Sequence, residues 1–191
     1  VKLPILSPVT NTNIYMYYYN TSGIDQQDIT NAWDTNYAMV QHFSATNGTV
    51  SYDSTKYTNN GSINGGVTIG TNGVLGNSFF YDGSGYLEVL DPGGYDNLDQ
   101  GTNSFVLMCW GKITDNGNNE YFMGNRGSAG YSGYDLRVHT DTKLAVRFQD
   151  YLGNNTLVSG NTANLVNNGN WHFIYVIANR NGSMSYYTAP F

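Results

Sequence analysis

The stretch Asn170–Tyr187, "NWHFIYVIANRNGSMSYY", decides the fold. Its first half, Asn170–Ala178, is built from aromatic and β-branched residues, which favour strands. It is apolar at odd and even positions alike, the pattern of a strand covered on both faces. Asn179–Gly182 reads as a turn, because Asn and Gly both tolerate positive φ. Ser183–Tyr187 reads as the strand that returns. The run Phe105–Ile113, "FVLMCWGKI", is apolar on both faces in the same way. Two such central strands predict a layered, antiparallel β-structure, in which Leu107, Cys109, Val146, Phe148, Trp171 and Phe173 share one interior.

The next signal outward is a pair of alternating runs. In Tyr134–Thr140, Tyr134, Leu136 and Val138 fall on one face, with Asp135, Arg137 and His139 on the other. In Lys143–Gln149, Leu144, Val146 and Phe148 face in, while Lys143, Arg147 and Gln149 face out. Only Asp141 and Thr142 separate the runs, so they predict a hairpin with its polar face in water. Asn77–Val89 reads as two short strands around an Asp-Gly-Ser-Gly turn. Near the start, Asn13–Tyr19, "NIYMYYY", reads as a further strand. Ser22–Trp33 is polar and predicts one short helix, with Ser22 as its cap.

Composition agrees with an all-β chain. Of 191 residues, 17 are Tyr and only two are Glu, Glu88 and Glu120, whereas helices favour Glu, Lys, Leu and Ala. Asn-Gly pairs recur at 47, 60, 64, 72, 116, 168 and 181, one turn signal after another. Charged residues are 12% and the net charge is -6, with no basic cluster, which argues against nucleic acid as a partner. No apolar run is long enough to span a membrane. Cys109 stands alone, so no internal disulfide forms and the fold rests on its core; it reads as a small buried hydrophobe. The chain opens on Val1 without a signal-peptide pattern, which reads as processing or truncation.

With these strands in place, four segments in register carry a resemblance. "LGNSFFYDGSGYLEVLDP", "SFVLMCWGKI", "GYDLRVHTDTKLAVRFQD" and "NGNWHFIYVIANRNGSMSYY" resemble successive strands of the laminin-G-like, concanavalin A-like jelly rolls of microbial surface proteins. The match runs from about Ala38 to Tyr187. The segment before it resembles the tail of a β-domain that precedes such modules. The resemblance implies an antiparallel β-sandwich of the jelly-roll type over 38–191, after an N-terminal strand segment and polar connection over 1–37. Modules of this kind continue beyond the equivalent of Tyr187 with closing strands, whereas this chain ends at Phe191. Three readings follow. The Asn13–Tyr19 strand fills the gap in cis, it adds to the next subunit's sheet in trans to build a filament, or the chain simply ends early.

Enzymes share this fold, and retaining glycoside hydrolysis needs two carboxyl groups about 5–5.5 Å apart. Glucanases of this fold carry Glu-x-Asp-x-x-Glu on one strand, and neither Glu88 nor Glu120 completes it, so no catalytic residue is assigned. His42, His139 and His172 lack a second ligand at metal spacing. The resemblance implies calcium near a sandwich rim, with Asp82, Asp91 and Asp96 as candidate ligands. Tyr131, Tyr134 and Tyr151 are the candidate aromatic platform for a glycan. N-glycosylation sequons stand at Asn20, Asn47, Asn60, Asn154 and Asn181, which fits an exported, cell-surface protein. The expected function is a noncatalytic extracellular module, structural or adhesive, that associates with itself or with other surface proteins. The alternative is a carbohydrate-binding module of a larger secreted enzyme.

Overall fold

The computed structural model describes residues 9–15, 22–24, 28, 31–90, 97–114, 116–125, 132–150, 152, 154–159 and 166–191. Among these the protein is all-β and antiparallel, with no helix. Twelve strands follow in order: β1 Val50–Ser51, β2 Gly61–Asn64, β3 Val67–Asn72, β4 Asn77–Tyr81, β5 Tyr86–Val89, β6 Phe105–Thr114, β7 Glu120–Gly124, β8 Gly133–Val138, β9 Leu144–Gln149, β10 Asn155–Ser159, β11 Asn168–Ala178 and β12 Ser185–Pro190. The chain forms two compact units, one of residues 1–70 and 79–90, the other of residues 71–78 and 91–191. Asn13–Tyr15 belong to no strand, and Met16–Tyr19 lie outside the described residues. Of the expected helix at Ser22–Trp33, residues 25–27, 29 and 30 lie outside the described residues; among the described ones the Ala32 N–H donates a helical-type bond to the Asp28 carbonyl at 3.2 Å.

The first unit is organised by a buried carboxylate as much as by a sheet. Its strands run in the order β1-β2-β5. Beside them Asp53, 6% exposed, accepts hydrogen bonds from the backbone N–H groups of Val40, Thr55 and Asn59 and from the Thr55 hydroxyl. Asn60 Oδ1 in turn accepts the Asp53 N–H. One short acidic side chain thus satisfies three backbone N–H groups, one before β1 and two in the β1–β2 connection. Burial alone would raise the Asp53 pKa. The hydrogen bonds from Thr55, Val40 and Asn59 outweigh it and hold the carboxyl below its ordinary value.

The second unit has two sheets, ordered β10-β9-β8-β7 and β12-β11-β6, with a shared interior. Leu136, Val138, Leu144 and Val146 come from the first sheet; Leu107, Ile174 and Val176 come from the second, and Val166 joins them. Tyr186 on β12 bridges the two, its hydroxyl accepting the Val146 N–H at 3.3 Å and donating to the Val158 carbonyl. The β8–β9 hairpin is paired from Gly133↔Gln149 to Val138↔Leu144, and its loop places Thr142 at φ 66.

Two expectations are corrected here. First, the doubly apolar strands bury only one face. Register is the reason: β6 and β11 pair Phe173↔Trp110 and Ile174↔Cys109, and residues directly opposite share a face. Leu107 and Val146 lie in the interior, and Cys109 and Phe148 pack against it. Trp171 and Phe173, one residue out of phase with Ile174, stand on the outer face instead. Second, the polar face of the β8–β9 hairpin is only partly in water: Lys143 is exposed, whereas its middle is buried. Asp135 and Arg137 are each 3% exposed and Gln149 is 7% exposed. These charges neutralise one another, Arg137 pairing with Asp135 along β8 and Arg147 with Asp135 from β9.

Candidate functional site

That buried charge group is bonded largely within itself, although Arg147 Nη2, 3.0 Å from Asp135 Oδ2, makes no hydrogen bond. Arg137 Nε donates to Asp135 Oδ1 at 2.7 Å and Arg137 Nη2 to Oδ2 at 2.8 Å, a two-pronged pair. Arg147, opposite Asp135 on β9, adds Nε to Oδ2 at 3.0 Å. Arg137 also donates to the Tyr121 hydroxyl at 3.1 Å, with its guanidinium 4.8 Å from the centre of that ring. Each carboxylate oxygen accepts at least one charged N–H, and Arg137 is closed off from solvent. This arrangement serves the sheet rather than a ligand.

The outer face of the β6-β11-β12 sheet is different. On it β6 places Val106, Met108 and Trp110; β11 places Trp171, Phe173, Tyr175 and Ile177; β12 places Tyr187, with Phe191 just beyond. Trp110 meets Phe173 at 5.3 Å between ring centres and Phe191 at 5.9 Å; Tyr175 meets Tyr187 at 5.8 Å. A shallow depression of about 350 Å³ lies between β11 and β12, lined by Phe173, Tyr175, Ile177, Tyr187, Thr188 and Ala189. Neither carboxylate nor amide side chain stands among these residues.

Of the sequence-predicted site residues, Tyr134 is half-buried on β8, stacked at 4.6 Å on Phe105, with its hydroxyl donating to the Leu98 carbonyl at 3.5 Å. Tyr131 and Tyr151 lie outside the described residues. Asp82 sits in the exposed turn between β4 and β5, where its Oδ1 accepts both the N–H and the hydroxyl of Ser84 at 2.8 Å. Those bonds from Ser84 hold its carboxyl below the ordinary value. The Asp82 carboxylate packs over Gly66, where an added Cβ would lie 2.0 Å from it and would have to displace it. Asp91 and Asp96 lie outside the described residues, and among the described ones no three His, Cys, Asp or Glu converge as metal ligands.

Among the sequons, Asn47, Asn60, Asn154 and Asn181 are exposed, and Asn20 lies outside the described residues. Asn154 already donates through Nδ2 to Asp150 at 2.9 Å. Glu88 is exposed on β5 of the first unit, and Glu120 is half-buried at the start of β7 in the second. The lone thiol, Cys109, is pushed up to about 12 by burial and is a poor nucleophile. No described helix is long and apolar enough to cross a membrane.

The residues missed in the sequence are Val106, Met108, Trp110, Tyr175, Tyr187 and Phe191. All but Phe191 were legible as strand residues, and the β11–β12 hairpin was legible too; their convergence depends on pairing β6 with β11, which local periodicity does not reveal. Comparison of the chain with protein-family models, with curated proteins and with solved structures gave no match.

Proposed function

We propose that this protein is a noncatalytic extracellular module, a concanavalin A-like, laminin-G-like sandwich that works by contact as a structural or adhesive unit of a surface protein. The observation that carries the reading is the open apolar face of β6, β11 and β12. Trp110 is 38% exposed, Met108 45% and Tyr187 56%, on the strands flanking β11 rather than on a loop. A surface without carboxylates suits binding and offers nothing for proton transfer at the bound partner. The paired sheets with one interior support the sandwich, and the four segments that resemble jelly-roll strands support the finer type.

Aromatic rings at 5–6 Å spacing also suit the apolar faces of sugars, which keeps a carbohydrate-binding module as the second reading. A glycan array separates the two. Binding lost in Trp110→Ala would favour the glycan module; no binding, together with adhesion to cells or to other surface proteins, favours the structural one. Turnover of a polysaccharide, abolished by Glu120→Gln or Glu88→Gln, would overturn both.

A further inference from the structure

Resting on that reading, the structure points to the occupant of the apolar face: we propose that it is a second copy of this chain, packed sheet against sheet. Area is the first argument. Val106, Met108, Trp110, Tyr187 and Phe191 are 42%, 45%, 38%, 56% and 80% exposed. At roughly 200 Å² for a fully exposed large side chain, these five present on the order of 500 Å². The half-buried Trp171, Phe173, Tyr175 and Ile177 raise the face to about 700 Å² by the same measure. Monomers rarely leave more than about 300–600 Å² of apolar patch in water. A standard interface takes roughly 600–1,000 Å² from each partner. The face is therefore large for a monomer and adequate for a dimer.

Shape is the second argument. One side of the face carries Met108 and Trp110 on β6, both exposed. The other side is the depression beside β12. A two-fold axis lying in the interface and running along β11 turns each copy over onto the other. It sets the β6 side of one copy above the β12 side of its partner, so both depressions are filled at once. Interfaces related by a two-fold axis must be self-complementary in this way. Packed sheets sit about 10 Å apart with interdigitated side chains, which suits rows of this size.

Charge and chemistry are the third argument. The chain is acidic, with a net charge of -6, yet the face carries no carboxylate side chain, and Lys112 is the charged β6 residue at its end. Two copies therefore meet here without bringing their acidic groups together. Aromatic and Met side chains with few Lys, Glu or Asp are what interface centres prefer. A sugar would instead need planar amides or carboxylates to fix its hydroxyl groups, and the face has none.

The test is sedimentation velocity across the micromolar range, on wild-type protein and on Met108→Glu and Tyr187→Glu. Wild type should sediment as a dimer. Each variant should raise the dissociation constant at least about tenfold, because it buries an unpaired carboxylate at the contact. Tyr52→Ser, an exposed change in the first unit, should leave it unchanged. Both glutamates sit at exposed positions, and retained near-ultraviolet circular dichroism shows that they fold; concentration-dependent association of the wild type is a readout that needs no variant. A wild-type monomer throughout the range overturns the proposal, as does a dimer that neither glutamate weakens. A monomer that captures glycans or another protein through this face overturns the dimer and leaves the binding-module reading standing. Polysaccharide turnover would overturn that reading whatever the oligomeric state.

Discussion

Replacing Asp135 by Asn should destabilise the second unit by about 3–5 kcal/mol, the usual cost of breaking a buried ion pair by removing one partner. Arg137 is 3% exposed, and its two carboxylate bonds, at 2.7 and 2.8 Å, are its main compensation for lost water. An Asn keeps the shape and one acceptor but removes the charge. Arg147 suffers less, because its side chain is 20% exposed and water reaches part of it. The Tyr121 hydroxyl and ring remain beside Arg137, yet neither carries charge. A loss of this size should lower the unfolding midpoint by on the order of 10 °C. Tryptophan fluorescence is the assay, since Trp110 and Trp171 lie in the second unit and Trp33 in the first. Replacing the whole group, Asp135→Leu with Arg137→Met and Arg147→Leu, should recover most of the loss, because an apolar trio needs no desolvation of charge. A loss below about 1 kcal/mol in D135N would refute the reasoning, for it would mean that Arg137 finds water in the native state.

Four further outcomes are expected. Ile174→Ala should cost about 2–5 kcal/mol because it opens a cavity among fully buried neighbours, and Trp171→Ala should cost less; equal midpoints in chemical denaturation would contradict the assigned faces. Tyr186→Phe should cost about 1–3 kcal/mol, since it leaves the Val158 carbonyl and the Val146 N–H without their shared partner, and an unchanged denaturation midpoint would count against that bridge. The Asp53 carboxyl, held below its ordinary value, favours the folded state above about pH 4, and that contribution is lost as pH falls through the folded value. Urea midpoints should therefore drop on acidification in wild type and less in D53N, and parallel profiles would exclude Asp53 as the cause. The Cys109 thiol, raised to about 12 by burial, keeps its proton in the folded state; stability falls as pH rises above about 9, and thiol reagents label native protein far more slowly than unfolded protein. Rapid labelling of native protein at neutral pH would show the thiol to be open.

The amino-acid sequence determined where the chief strands of the second unit lie and how they connect. Residues 105–113, 134–149 and 170–187 announce β6, the β8–β9 hairpin and the β11–β12 hairpin, because alternation, β-branched and aromatic content and Asn-Gly turns are local properties of the chain. It did not determine which face of each strand is covered. A strand apolar on both sides carries no parity signal, so the outward position of Trp171 and Phe173 follows only from the pairing Phe173↔Trp110 and Ile174↔Cys109. The charged side of the hairpin misleads for the opposite reason. Asp135, Arg137 and Arg147 each read as a solvated residue when taken singly. Register sets Arg147 across from Asp135, and that juxtaposition makes burial tolerable by pairing the charges before water is removed. Composition and periodicity report what each residue prefers, whereas the tertiary structure decides which preferences are met by a neighbour and which face is left open to meet something else.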